Sequence, residues 1–260
     1  VDPSARGTYP FGEPLRVVVQ QDRARKHVFI LGVYASAVHA RWFDAAGSLL
    51  VRALAVASEP VIFWDGTDAE AIIARISLPA GAGALKAAHS SMNGPSGRAL
   101  DEHFLEPLRC HRSDAWLCDL VPHTCLNRGQ ARALEREYVP RAKKLGLSGV
   151  DLPPVPKVFA DARRQEAVLS ELEESRAETI VLLGDEPIRC WLKRFDARWT
   201  RLSDFAKTDD AYGRRHAVTI ANRRYEVLPL VHPRQASGLG SHSTTWKARH
   251  ETWRLRALRA

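Results

Sequence analysis

The chain has 260 residues, 45% hydrophobic and 26% charged, the composition of an ordinary soluble globular protein. Its 38 Lys and Arg against 30 Asp and Glu leave a formal charge of +8, concentrated in the last fifth from Arg214 to Arg259, which favours polyanionic partners. No run approaches the roughly 20 apolar residues of a membrane helix, the segment Val1 to Gly12 lacks a basic start followed by an apolar run, and Cys110, Cys118, Cys125 and Cys190 form no C-x-x-C pair. The expectation is a cytoplasmic protein with free thiols, no membrane partner and no metal.

In chain order, Val28-Phe29-Ile30-Leu31 predicts a buried strand ending at Gly32. Helices are predicted over Ala69 to Ile76 and Ala99 to Leu108. Ala115 to Val121 predicts a second strand, stopped by Pro122. Gln130 to Tyr138 follows as a helix with Asn127 as its cap, and Arg163 to Ser175 as another with Asp161 as its cap. Thr179 to Leu183 is a third strand ending in Gly184, and Tyr225 to Val231 a fourth, running into His232-Pro233. The last fifteen residues predict a basic amphipathic helix carrying Trp246 and Trp253. Leu147 to Pro156 reads as a loop within one domain spanning residues 1–260.

Four apolar strands separated by helices predict an α/β fold, a three-layer sandwich with a central four-stranded parallel sheet. Chemistry in such sheets collects beyond the carboxyl ends of the strands. Those ends carry Gly32-Val33-Tyr34, Asp119, Gly184-Asp185 and His232-Pro233.

Five segments in this order, VFILGVYASAVHARW (28–42), NGPSGRALDEHFLEPL (93–108), WLCDLVPHTCLNRGQ (116–130), IVLLGDEP (180–187) and VLPLVHPRQ (227–235), resemble the uracil-DNA glycosylase superfamily over most of the chain. The resemblance implies a DNA glycosylase that flips a pyrimidine and hydrolyses its glycosidic bond without a cofactor. His232 then corresponds to the histidine that bonds pyrimidine O2 and stabilises the leaving anion, an electrostatic effect worth roughly 3 kcal/mol. Gly32 belongs to the base-binding strand end. Tyr34 stands where relatives place Asp, Asn or Glu, and a tyrosine supplies no carboxylate at neutral pH; Asp44 and Asp185 are the stand-ins the sequence offers. Ser36 replaces a bulky tyrosine that blocks pyrimidine C5, unless it caps a following helix.

Asp119 stands where uracil readers carry Asn. An ionised Asp only accepts hydrogen bonds and suits the exocyclic amine of cytosine, whereas a protonated one still reads uracil. With Ser36, this points to a cytosine carrying a C5 substituent, as in hypermodified phage DNA; uracil removal in base excision repair is the alternative. His89 falls where relatives stack an aromatic on the flipped base. Pro95, Ser96 and Arg98 match a loop that grips backbone phosphates. Arg234, Gln235 and Leu239 lie in a stretch, Arg234 to Ser243, expected to enter the minor groove. Other readings remain: a DNA-binding member of the fold that does not cleave, motivated by Tyr34, or an unrelated nucleotide-binding or hydrolytic α/β enzyme. The chain has no G-x-x-x-x-G-K-[ST], G-x-G-x-x-G or G-x-S-x-G motif, so no nucleotide cofactor is expected. No lysine stands at a predicted strand end, which argues against a lyase.

Overall fold

The structure, a computed structural model, describes residues 7–239 and 243–259. Its first strand, β1 (Val28–Tyr34), runs past Gly32, because Val33 and Tyr34 keep the extended backbone. It is followed by β2 (Ala37–Phe43), β3 (Leu49–Ser58), α1 (Ala69–Ala74), β4 (Ala84–Ala87) and α2 (Pro95–Leu100). A π-helical turn, Asp101–Leu105, extends α2 before β5 (Ala115–Val121). Next come α3 (Arg128–Ala133), α4 (Val139–Leu145) and α5 (Ala162–Ser175). Asn127 caps α3 by accepting the Gln130 N–H at 3.0 Å, and Asp161 caps α5 by accepting the Arg164 N–H at 2.8 Å. Beyond them lie β6 (Thr179–Leu183), α6 (Asp185–Cys190), α7 (Leu202–Phe205), β7 (His216–Ile220), β8 (Arg223–Leu230), α8 (Pro233–Ala236) and α9 (Ser243–Arg259).

The chain divides into two compact units. One comprises residues 7–18, 34–95 and 122–157, and is built on a three-stranded sheet in the order β3-β2-β4. Both pairings are antiparallel. One face of this sheet carries Val38, Ala40 and Trp42 into an apolar cluster with Val51, Leu54, Ile73 and Tyr138. Trp42, Phe11 and Tyr138 pack there with ring centroids 5.2–5.7 Å apart. The Trp42 indole N–H donates to the Ala82 carbonyl at 2.6 Å, so the buried ring leaves no polar group unmet.

The other unit, residues 19–33, 96–121 and 158–259, is α/β: a mostly parallel five-stranded sheet flanked by helices, in the order β5-β1-β6-β8-β7. β1–β6 and β6–β8 are parallel, and Phe29, Ile30, Val181, Leu182 and Val227 are fully buried along them. The sequence reading of four parallel strands is corrected at one edge, where β7 pairs antiparallel with β8. A two-residue turn joins them, and Ala221 and Asn222 both take positive φ (45° and 65°), the backbone that matches the twist of a tight hairpin. Pro229 is tolerated inside β8 because the pairing with β7 stops at Val227, leaving its missing N–H without a ladder partner. No helix among the described residues is long and apolar enough to cross a membrane.

Candidate functional site

In the five-stranded sheet the chain passes from β1 to β5 on one side, then to β6 on the other, so the strand order reverses between β1 and β6. Ligands of open α/β sheets bind beyond the carboxyl ends of the strands at such a reversal. In this unit those ends present Gly32, Asp119, Gly184 and His232. Gly32 lies buried within β1.

Asp119 is 3% exposed, and its carboxyl accepts no hydrogen bond from any described residue. A buried carboxyl with a perturbed pKa is a mark of functional sites. Burial pushes its pKa up to about 7, with the Arg164 cation pulling down and the Glu171 charge adding to the rise. Successive β5 side chains point to opposite faces, which places Asp119 opposite Trp116 and Cys118. On their face, Arg164 of α5 donates to Glu171 at 3.0 Å, to Cys118 Sγ at 3.2 Å and to the carbonyls of Asp119 and Leu120 at 2.6 and 3.2 Å. The Trp116 indole N–H occupies the second Glu171 oxygen at 3.2 Å. Arg164 therefore fixes the backbone from which Asp119 projects. Removing one partner of a buried ion pair costs about 3–5 kcal/mol; Arg164→Ala is expected to lower the urea midpoint accordingly.

His232 is half-buried at the N-cap of α8, and its Nδ1 accepts the Arg234 backbone N–H at 3.2 Å. That bond fixes the tautomer: the proton sits on Nε2, which is left as a donor. Burial, reinforced by the Arg234 cation, pulls the His232 pKa down to about 4, so the ring is neutral at physiological pH. Gly184, at φ +91°, turns the end of β6 past this ring; a Cβ there would lie 3.4 Å from His232 Cβ. The Gly184 N–H bonds the Leu230 carbonyl at 2.8 Å, tying the ends of β6 and β8 together.

A buried relay holds the residue before His232. The Val231 N–H donates to the Tyr212 hydroxyl (3.0 Å), which donates to His250 Nδ1 (2.8 Å), and His250 Nε2–H donates to the His103 carbonyl (2.9 Å). His250 is 2% exposed, and burial takes its pKa down to about 4. The unfolded chain, near 6.5, then binds more protons than the folded one between these values. The stabilisation is complete above pH 6.5 and is lost as pH falls toward 4, by about 2 kcal/mol at pH 5. Asp119, with its raised pKa, changes stability in the opposite direction. The measurement is therefore a difference: the stability gap between wild type and His250→Gln should narrow by about 2 kcal/mol between pH 7.5 and pH 5.

The remaining expected residues fall as follows. In the α/β unit, Ser96 is half-buried and Arg98 exposed on α2. Arg234 is exposed and forms no ion pair with a described residue. Gln235 is half-buried on α8. Leu239 is 42% exposed, held in a tight turn by its N–H bond to the Arg234 carbonyl at 2.7 Å. Residues 240–242 of the expected groove-entering stretch lie outside the described residues.

In the other unit, Tyr34 ends β1 half-buried, Pro95 opens α2, and His89 is exposed, with Nδ1 bonded to the Ser91 hydroxyl at 2.9 Å. Ser36 caps no helix, because β2 follows it directly. Its N–H donates to Glu59 Oε1 at 3.0 Å, and its carbonyl accepts the Thr124 hydroxyl. Glu59, 4% exposed, is the carboxylate held beside Ser36. Sequence reasoning missed it because it follows β3, a strand without a clear alternating pattern. Of the two stand-ins, Asp44 accepts the N–H groups of Ala46 and Ser48 in the β2–β3 turn, and Asp185 accepts the Leu202 N–H at the start of α7. Asn93, in the expected phosphate loop, pairs its side-chain amide with both backbone groups of His39. Gly94 has no room for a side chain: a Cβ would meet the Asp65 carbonyl carbon at 1.9 Å.

No family model matches the chain, and no curated protein matches its sequence.

Proposed function

We propose that the chain is a monofunctional DNA glycosylase acting on a flipped pyrimidine, a cytosine carrying a C5 substituent such as those of hypermodified phage DNA. One observation carries this reading. The sheet that reverses its strand order carries near one strand end a buried carboxyl, Asp119, that accepts no hydrogen bond from a described residue, and after another a neutral imidazole, His232, whose Nε2–H is not engaged by a described residue. An acceptor for an exocyclic amine and a donor for O2 are the two groups that reading and expelling such a base require.

The C1′–N1 bond breaks with its electron pair passing into the base, where negative charge on O2 meets the His232 Nε2–H. Water adds to C1′, and its proton leaves to the base or solvent. The products are the free base and an abasic site. Leu239, an exposed apolar side chain on a braced turn, has the character of a wedge filling the gap in the stack. Arg98 and Arg234 supply phosphate contacts. The α/β sheet, the strand-end placement of the HP dipeptide and the basic C-terminal helix all support kinship with the uracil-DNA glycosylase superfamily.

A second reading, uracil as the target, is favoured by the raised pKa of Asp119. A protonated carboxyl donates to O4 and accepts from N3–H, as an amide does. Matched duplexes containing uracil, cytosine and C5-substituted cytosines, assayed for base release before and after alkali, test both readings. The C5-modified reading, which rests on Ser36, expects substituted cytosine to be released fastest, with strand scission only after alkali. Release of uracil alone selects the second reading, and scission without alkali indicates a lyase. Binding without release of any base would make the chain a non-cleaving binder.

A further inference from the structure

The three-stranded sheet has a face that the glycosylase reading does not use. Val38, Ala40 and Trp42 point into the apolar cluster, so Ala37, His39, Arg41 and Phe43 point the other way. Ala37 and Ala55 on this second face are covered by Tyr9, Leu15 and Leu152. The half nearer the β2–β3 turn is open.

Register determines what lies there. Ala40 pairs with Leu54 and Trp42 with Val51, so β3 has one residue more than β2 over this interval. Arg52 and Ala53 together oppose Arg41 in a β-bulge, which brings both bulge side chains to the side of the opposed residue. On the other edge Arg41 pairs directly with Lys86 of β4. Arg52, Arg41 and Lys86 thus form a row across three strands, roughly 10 Å from end to end at ordinary strand spacing. All three are exposed, and none makes an ion pair with a described residue. Arg41 and Lys86 both lie over the ring of Phe43, at 5.8 and 5.5 Å from its centroid, and Arg41 is further held by donating to the Ala87 carbonyl at 3.0 Å.

Like charges placed directly opposite across strands destabilise a sheet. Here the row has no acid to relieve it, and two of the cations are oriented by an aromatic ring rather than left to spread into solvent. We propose that the open face of β3-β2-β4 is a docking surface for the phosphate backbone of DNA, with Arg52, Arg41 and Lys86 contacting successive phosphates. At about 3.4 Å of helix axis per phosphate of one duplex strand, the row covers about three phosphate steps. The contact reads charge and not sequence. The choice of DNA rests on the reading proposed above, while the contact itself is independent of base release.

Binding to an unmodified duplex, with no excisable base, is the readout, taken as fluorescence anisotropy over a salt series. Three phosphate contacts contribute about 2.7 to the slope of log affinity against log salt. The triple variant Arg41→Gln/Arg52→Gln/Lys86→Gln is expected to lower that slope by about 2–3 and weaken binding at least tenfold at low salt. The charge-keeping variant Arg41→Lys/Arg52→Lys should retain the slope, which separates lost charge from lost fold, and thermal melting of the triple variant should match or exceed wild type once the repulsion is gone. An unchanged slope in a folded triple variant overturns the proposal. So does equal loss of slope in the charge-keeping variant, or undiminished duplex binding accompanied by lost binding to anionic phosphatidylserine vesicles, which would reassign the face to a membrane.

Discussion

His232→Ala is expected to slow base release by about 10²–10³-fold under single-turnover conditions, the usual loss when one preorganised donor to a developing anion is removed. The expectation follows from the state of the ring. Because Nδ1 is committed to the Arg234 N–H and burial keeps the imidazole neutral, Nε2–H is a fixed donor across the physiological range. Its strength against a transition-state anion arises because no reorganisation is needed when the charge forms. A second proton on the ring would go to Nδ1, breaking the bond to Arg234 and freeing the start of α8. The rate should therefore fall at the acid end near pH 4, well below the ordinary histidine range. His232→Gln, which keeps a donor, should recover part of the loss. Duplex binding should stay within a few-fold of wild type in both variants, since the interaction strengthens mainly as the bond breaks. Full activity in His232→Ala would remove this residue from the chemistry altogether.

Asp119→Asn is expected to exchange the base that is released. With its pKa near 7, the wild-type carboxyl is mixed at neutral pH: ionised above, where it would accept from a cytosine amine, and protonated below, where it would imitate an amide. The sign is fixed by the chemistry. Under the proposed function, release of a cytosine-type base is expected to rise as pH increases through 7, and release of uracil to fall over the same interval. Asparagine removes the titration. The variant should release uracil at a rate independent of pH across 7, and lose cytosine-type activity by about 10–100-fold, the range of one base-edge hydrogen-bond pair. The measurement is a pH–rate profile on each substrate for both proteins. Parallel profiles for uracil and cytosine in the wild type would place base discrimination elsewhere. The variant should also be more stable than wild type at pH 8, because the cost of holding a buried carboxylate disappears.

The parallel strands were legible because each is a continuous apolar run bounded by a turn residue: Thr179–Leu183 before Gly184, and Ala115–Val121 before Pro122, agree with the sequence residue for residue. The caps Asn127 and Asp161 were legible for a local reason, a side chain that satisfies an N–H within three residues. The antiparallel strands were not. Leu49–Ser58 is rich in Ala and Leu, which favour helix when isolated; its strand geometry comes from pairing with β2 through a bulge that breaks the two-residue alternation. β7 was hidden because its hairpin turn is Ala-Asn, with no glycine to announce it. In the candidate site, Asp119 and His232 were visible as strand-end residues, but their titration was not, since burial and the Arg164–Glu171 pair depend on α5 packing against β5. Glu59 gave no local signal at all.

The relay from Val231 through Tyr212 and His250 to His103 also has a consequence for biosynthesis. The strand end that presents His232 receives its N–H partner from Tyr212, and Tyr212 is oriented by His250, which lies near the end of the chain. A nascent chain that already contains every strand of the sheet still lacks this bridge. The hydrogen bonds that hold Val231 are thus completed only when α9 has been synthesised and has packed over Tyr212, and, under the proposed function, a product truncated before His250 is expected to be inert even where its strands have formed.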